Sequence, residues 1–396
     1  MEVRMGVQGL RPSWTTLGLL AYFALVLGGY LYFNLPLMVL GLVVTIGIAL
    51  AGWRRILNRN LDGARMVMLS VFTVMTLMLP FAIYKSNFAP FHYATGVFGM
   101  FAAYVLSGYG EDLRKALFGM LVLMQGIILL YLATTAQTIL PLDYMVKDAS
   151  SNAITLFLVL VQAVYGVVLY HQKRSVPLVT PVVTLYIAIE GYGRGSLLAA
   201  LVLVLLSVAF YGFTQRSMKR RLIMVAAVGV VSALFFLRFY DLAVWYLANA
   251  TKLSAGLVDY ARAEMWEAYV DKLDFLSILI GADFELTVIE ATYNGNPHSS
   301  LIRAHHFFGL PYLVLILFLC VAIPLSTRGA GARLLNTVFY LVILMRIVSE
   351  PSLFPTPLDL FFYLGLFTMM SSPPAVPSRG PGATPVPQVP FGASHA

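Results

Sequence analysis

Runs of mostly apolar residues, each about the length of a membrane-crossing helix, follow one another along nearly the whole chain. A hydrocarbon core of about 30 Å takes roughly 20 residues of helix to cross. Such runs lie near 14–33, 35–53, 66–84, 90–107, 114–134, 152–170, 177–190, 196–213, 222–239, 304–325, 333–349 and 357–371. They predict an all-α, polytopic integral membrane protein of about twelve spans. Composition agrees, with 60% hydrophobic and 11% charged residues in 396 and a mean hydropathy of +0.83. Soluble chains carry about 25% charge, so a soluble enzyme, a disordered chain and a nucleic-acid binder are excluded despite a pI near 9.4. The single cysteine, Cys320, sits inside an apolar run and allows no disulfide framework. The first run is too long for a signal-peptide core and lacks a small-x-small cleavage site, so the span is expected to be retained.

Charge sets the orientation. With the N-terminus inside, the cytoplasmic segments hold Arg4, Arg11, Arg54, Arg55, Arg59, Arg65, Arg114, Lys115, Lys173 and Arg174. They also hold Arg216, Lys219, Arg220, Arg221, Arg328, Arg333 and Arg379, against four carboxylates, Glu2, Asp62, Glu111 and Asp112. The other face keeps the minority of the 26 Lys and Arg and most of the 18 Asp and Glu. That is the bias by which Lys and Arg stay cytoplasmic. Shifting the register by one span would invert it, so both termini are expected to be cytoplasmic.

Within a membrane domain at 1–371, most outward links are short. The exception is a periplasmic loop at 240–297, long enough to carry function. In it, Val258, Met265, Trp266, Tyr269, Val270 and Leu273 recur at helical spacing, with Asp259, Glu264, Glu267 and Asp271 elsewhere. The pattern predicts an amphipathic helix over 257–273 lying along the membrane surface, with Gly281 as a stop. The tail 372–396, with seven prolines, is expected to be disordered.

Outward charges that topology does not explain are the candidates for chemistry. Arg194 lies in the turn Glu190-Gly-Tyr-Gly-Arg-Gly-Ser196, where glycines allow a tight turn and close approach of a ligand. The alternative is a snorkelling arginine at a span end. Arg262 shares the apolar stripe of Met265, Trp266 and Tyr269, so it needs a partner, either ordinary lipid phosphate or a dedicated phosphate ligand. His298 precedes Ser299 and Ser300 at the start of the tenth span; there the helix dipole favours a neutral ring able to act as a general base. Otherwise it is an ordinary hydrogen-bonding residue. His305 and His306 follow seven and eight residues later, about 10–12 Å along a helix, too far to share a metal with His298. Arg303 is a weaker candidate, and Glu350, at the end of the eleventh span, is placed to pair with an Arg or His.

His298-Ser299, nine residues, Gly309, two residues and Tyr312 together resemble the signature of the O-antigen ligases. Gly193-Arg194-Gly195 resembles the Arg-Gly turn of the wider ligase and polymerase superfamily, and Arg262 four residues before Trp266 resembles its loop arginine. The resemblance covers about 180–350 and implies a GT-C-like, metal-independent inverting glycosyltransferase of the bacterial inner membrane. It implies transfer of O-antigen from undecaprenyl diphosphate to lipid A-core on the periplasmic face. His298 would be the base, Arg194 and Arg262 would hold the diphosphate, and Arg303 and Glu350 would support them; no cofactor is expected. O-antigen polymerase and protein O-oligosaccharyltransferase are the neighbouring alternatives. A lipid-linked glycan transporter is a more distant one, because nearly every charge maps to a loop or span end and not to the bilayer midplane.

Overall fold

The structure, a computed structural model, describes residues 13–57, 62–135, 141–147, 149–191, 193–214 and 260–371. Among them every regular element is helical. The order is α1 Trp14–Leu31, α2 Leu35–Ala51, α3 Trp53–Ile56, α4 Gly63–Lys85, α5 Ala89–Leu106, α6 Gly110–Thr134, α7 Ser151–Lys173, α8 Val179–Glu190 and α9 Arg194–Thr214. Then come α10 Tyr260–Val270, α11 Phe275–Ile280, α12 Val288–Ala291, α13 Ser300–Ser326, α14 Ala330–Ser349 and α15 Asp359–Met370.

Seven helical stretches among the described residues are long and apolar enough to cross a membrane, and α2, α8 and α15 are shorter apolar helices. One of the seven is a continuous helical stretch from 89 to 134. Its backbone nevertheless breaks at the 3₁₀ turn Ser107–Tyr109 and at Gly110, whose φ is +51°, where the sequence divides it into two spans. This is the architecture of a multi-pass membrane protein. The ninth expected span, 222–239, the start of the long loop and the tail 372–396 lie outside the described residues.

Helix starts follow local chemistry. Ser13, Asn34, Asp62 and Ser150 each accept a backbone N–H from three residues on, satisfying a donor that the first turn leaves without a carbonyl. The α7 helix is buried along most of its length, and α15 packs between α5 and α7 with Phe361, Phe362, Tyr363 and Leu364 fully inaccessible. Leu77, Ile127, Phe318 and Val321 stand exposed on outer faces, an arrangement that suits lipid and not water.

The long loop departs from its expected form. Its first described helix, α10, ends at Val270, and a capping box of Asp274 and Ser277 starts a second, α11. Gly281 stops α11 and not the amphipathic helix. Nor does the apolar stripe lie flat on lipid: Met265 and Tyr269 are buried in a small core with Ala282, Ile289 and Ile302. A 3.6-residue period shows that a face must be covered, not by what; here the loop covers it with its own later turns and the start of α13.

Two contacts bolt this loop to the bundle. Lys85, the last residue of α4, donates to the carbonyls of Ile280 (2.5 Å), Gly281 (3.2 Å) and His306. Gly309 breaks α13 with φ +66° and ψ −174°. A Cβ there would overlap the Leu279 carbonyl oxygen and lie 2.9 Å from Ile280 Cα, so the kink is where α11 seats against α13.

Candidate functional site

Glu350 follows the last turn of α14 and joins most of the candidates. Its side-chain oxygen accepts from Arg262 Nη2 at 3.2 Å, so the arginine on the α10 stripe points at a carboxylate. The same oxygen lies 3.9 Å from Arg346 Nη2, one helical turn earlier on α14. The Glu350 backbone carbonyl accepts from the Ser300 N–H at 3.0 Å and from Ser300 Oγ at 2.5 Å. Ser300 Oγ also accepts the Leu353 N–H at 3.1 Å. The turn that carries His298 and the segment that carries Glu350 are therefore locked together.

His298 stands two residues before α13 begins, since Ser299 is the N-cap. That corrects its expected place: it lies outside the first turn, where the dipole effect is concentrated. Its φ is +45°, a left-handed conformation in which His is enriched among non-glycine residues. Its N–H donates to Asn296 Oδ1 at 3.0 Å and its ring packs edge-on to Tyr293 at 5.7 Å.

Arg194 is the first residue of α9, so the Gly193-Arg194-Gly195-Ser196 turn presents a helix N-terminus, a place that favours anions. Ser196 Oγ is hydrogen-bonded to Thr155 Oγ1 on α7 at 2.8 Å. A Cβ at Gly195 would overlap Arg346 Nη1, and this approach brings the start of α9 against the end of α14.

Arg303 turns elsewhere. Its Nη1 donates to the Pro351 carbonyl at 3.2 Å, and its Nη2 lies 3.3 Å from His92 Nε2 on α5. Tyr30 donates to the same carbonyl at 3.3 Å. These contacts brace the 350–353 strap behind the Arg262–Glu350 pair.

His305 and His306 are used by the fold. The Ile278 carbonyl can only accept, so His305 Nε2 donates to it at 2.8 Å, leaving Nδ1 to accept from Tyr269 Oη at 2.8 Å. That oxygen accepts the Ala282 N–H at 3.3 Å. Burial pushes the Tyr269 phenol above its ordinary value, so it stays a donor. His306 Nδ1 donates to the Ala282 carbonyl at 2.7 Å, and the ring stacks on Phe284 at 4.0 Å. Among the described residues no three His, Cys, Asp or Glu come together as a group able to hold a metal ion.

Arg346 is the residue that sequence reading passed over. It falls near the end of a mostly apolar span, and it precedes Glu350 by four residues, a spacing that places two side chains on one helix face. An ionisable residue inside a span is by itself a pointer to function. No family model matches the chain, and no curated protein matches it.

Proposed function

We propose that the protein is a metal-independent inverting glycosyltransferase of the O-antigen ligase type. It passes O-antigen polysaccharide from undecaprenyl diphosphate to a sugar hydroxyl of lipid A-core on the periplasmic face of the bacterial inner membrane. Twelve spans with both termini cytoplasmic belong to the same proposal. The observation that carries it is the convergence of Arg262, Glu350 and the α9 turn beginning at Arg194 with the backbone that holds His298.

In this reading the acceptor hydroxyl gives its proton to His298. Its oxygen then forms a bond to the anomeric carbon as the bond from that carbon to the diphosphate oxygen breaks. Attack from the face opposite the leaving group inverts the centre. The departing diphosphate takes the electron pair, and its growing charge is held by Arg194 and Arg262, for which planar guanidiniums are well shaped. Glu350 is the carboxylate that Arg262 pairs with before the donor binds. Arginines thus supply the electrostatic stabilisation that a divalent cation supplies in many phosphate-leaving reactions.

The test is transfer in vitro with purified full-length protein, lipid-linked donor and lipid A-core acceptor, run with and without EDTA. Product that appears only with acceptor, and at equal rate in both arms, supports the reading. Elongation of the donor glycan without lipid A-core would assign a polymerase. Transfer to a protein acceptor would assign an oligosaccharyltransferase. Donor movement across vesicles with no bond formed would assign a transporter.

A further inference from the structure

Arg346 is almost completely enclosed, with 4% of its side chain accessible. Its Nε and Nη2 donate no hydrogen bond to any described residue. These two nitrogens lie on the same edge of the guanidinium, the edge that meets two oxygens of a phosphate or carboxylate in parallel. The anionic group described beside it is Glu350, whose nearest oxygen is 3.9 Å from Nη2, beyond hydrogen-bond length, and is already taken by Arg262 at 3.2 Å. Two guanidiniums thus share one carboxylate oxygen. A buried charge with idle donors is costly to maintain.

The third nitrogen of the same guanidinium, Nη1, lies against the start of α9. Gly195 has no side chain, and the Arg346 guanidinium lies over it, with Ser349 Oγ 3.2 Å from where a Cβ would stand. The α9 helix, 21 residues long, begins one residue earlier at Arg194, so its first turn, whose N–H groups lack intrahelical carbonyl partners, lies beside the Arg346 guanidinium.

Resting on the functional reading above, we propose that Arg346 and the α9 N-terminal turn form the inner wall of a diphosphate site, and that Glu350 competes with the diphosphate for Arg262 and Arg346. Arg346 is then a third phosphate-binding guanidinium. Glu350 holds Arg262 and Arg346 near one another and yields them to a ligand that carries more negative charge and more acceptor oxygens.

Binding of inorganic diphosphate to purified full-length protein in detergent, by isothermal titration, and of undecaprenyl diphosphate, by native mass spectrometry, tests this. Arg346→Gln is expected to weaken binding about tenfold or more, with little recovery in Arg346→Lys, which lacks the two-point edge. Glu350→Gln is expected to tighten it about threefold or more. Gly195→Ala, which keeps every charge but pushes the guanidinium off the turn, is expected to weaken it about tenfold. Weakening seen with both ligands assigns a site open to the free ion, and weakening with the lipid alone assigns it to the membrane-borne one. Arg346→Gln binding within about threefold of wild type, while Arg262→Gln loses binding, overturns the role of Arg346 and leaves the glycosyltransferase reading standing. Wild-type protein that binds neither ligand removes both. Should Arg346→Gln fail to fold, unchanged affinity in Gly195→Ala and Glu350→Gln overturns the proposal.

Discussion

Replacing Gly309 by alanine should release the loop from the bundle. At φ +66° and ψ −174° the residue occupies a region essentially reserved for glycine, and a side chain there costs about 1–3 kcal/mol. The new methyl would also overlap the Leu279 carbonyl oxygen, with Ile280 Cα at 2.9 Å. Those are backbone atoms that cannot rotate aside, so overpacking adds about 1–3 kcal/mol. The sum, about 2–6 kcal/mol, falls on the contact between α11 and α13. Hydrogen exchange monitored by mass spectrometry reads this locally. Three amides report it: Ile278 N–H on the Asp274 carbonyl (2.9 Å), Gly281 N–H on the Ser277 carbonyl (2.8 Å) and Ala282 N–H on Tyr269 Oη (3.3 Å). Their exchange should accelerate by roughly 30-fold to 10⁴-fold, at about tenfold per 1.4 kcal/mol. Gly126→Ala on α6 is the control, because a Cβ there meets nothing within 4 Å, and exchange over 278–282 should not change. Wild-type protection of Gly281 and Ala282 in Gly309→Ala protein would refute the claim that this glycine is required for the docking of α11.

Arg194→Ala and Arg262→Ala should each abolish transfer while membrane insertion and abundance stay near wild type, and the lysine variants should recover little, since an ammonium lacks the planar two-point contact. Near-normal transfer in either alanine variant would remove that residue from the site. His298→Ala should cost about 10²–10⁴-fold in turnover with donor binding retained, and equal loss of binding and turnover in titration and rate assays would contradict a proton-transfer role. In the loop, burial acts to raise the Asp283 carboxyl, but its hydrogen bond and ion pair with Lys272 prevail and hold it below its ordinary value. The pair therefore contributes stability that is fully present above a pH of about 3.9, the usual aspartate value, and is lost as pH falls through the depressed one. Exchange protection over 272–285 should drop in that acidic window in wild type and drop less in Asp283→Asn, where the remaining loss comes from the Asp274 cap, whose carboxyl the Ser277 hydrogen bonds also hold below its ordinary value.

Hydropathy is a local sum over about twenty residues, so the sequence by itself determines the helical class and the apolar segments. It also determines helix starts: Asn34, Asp62 and Ser150 cap their helices through bonds that span only three residues. The break between α5 and α6 is legible for the same reason, as polar and glycine residues at Ser107-Gly-Tyr-Gly110 interrupt an apolar run. The motif positions Arg194, Arg262, His298 and Glu350 stand out as charged or titratable groups at segment ends.

What sequence could not supply is what each charge faces. Arg262 meets Glu350 across 88 positions of chain, and Arg346 lies over Gly195 about 150 positions away; no periodicity encodes either approach. The loop stripe of Met265 and Tyr269 reads equally well as a lipid-facing surface or a protein core. Packing against Ala282, Ile289 and Ile302 decides for the core. Arg303, near His298 in sequence, turns to Pro351 and His92 instead. Membrane segments follow from the transfer of side chains out of water, which each residue carries with it. The pairing of buried charges follows from distances set when remote helices pack, and those exist only in the folded chain.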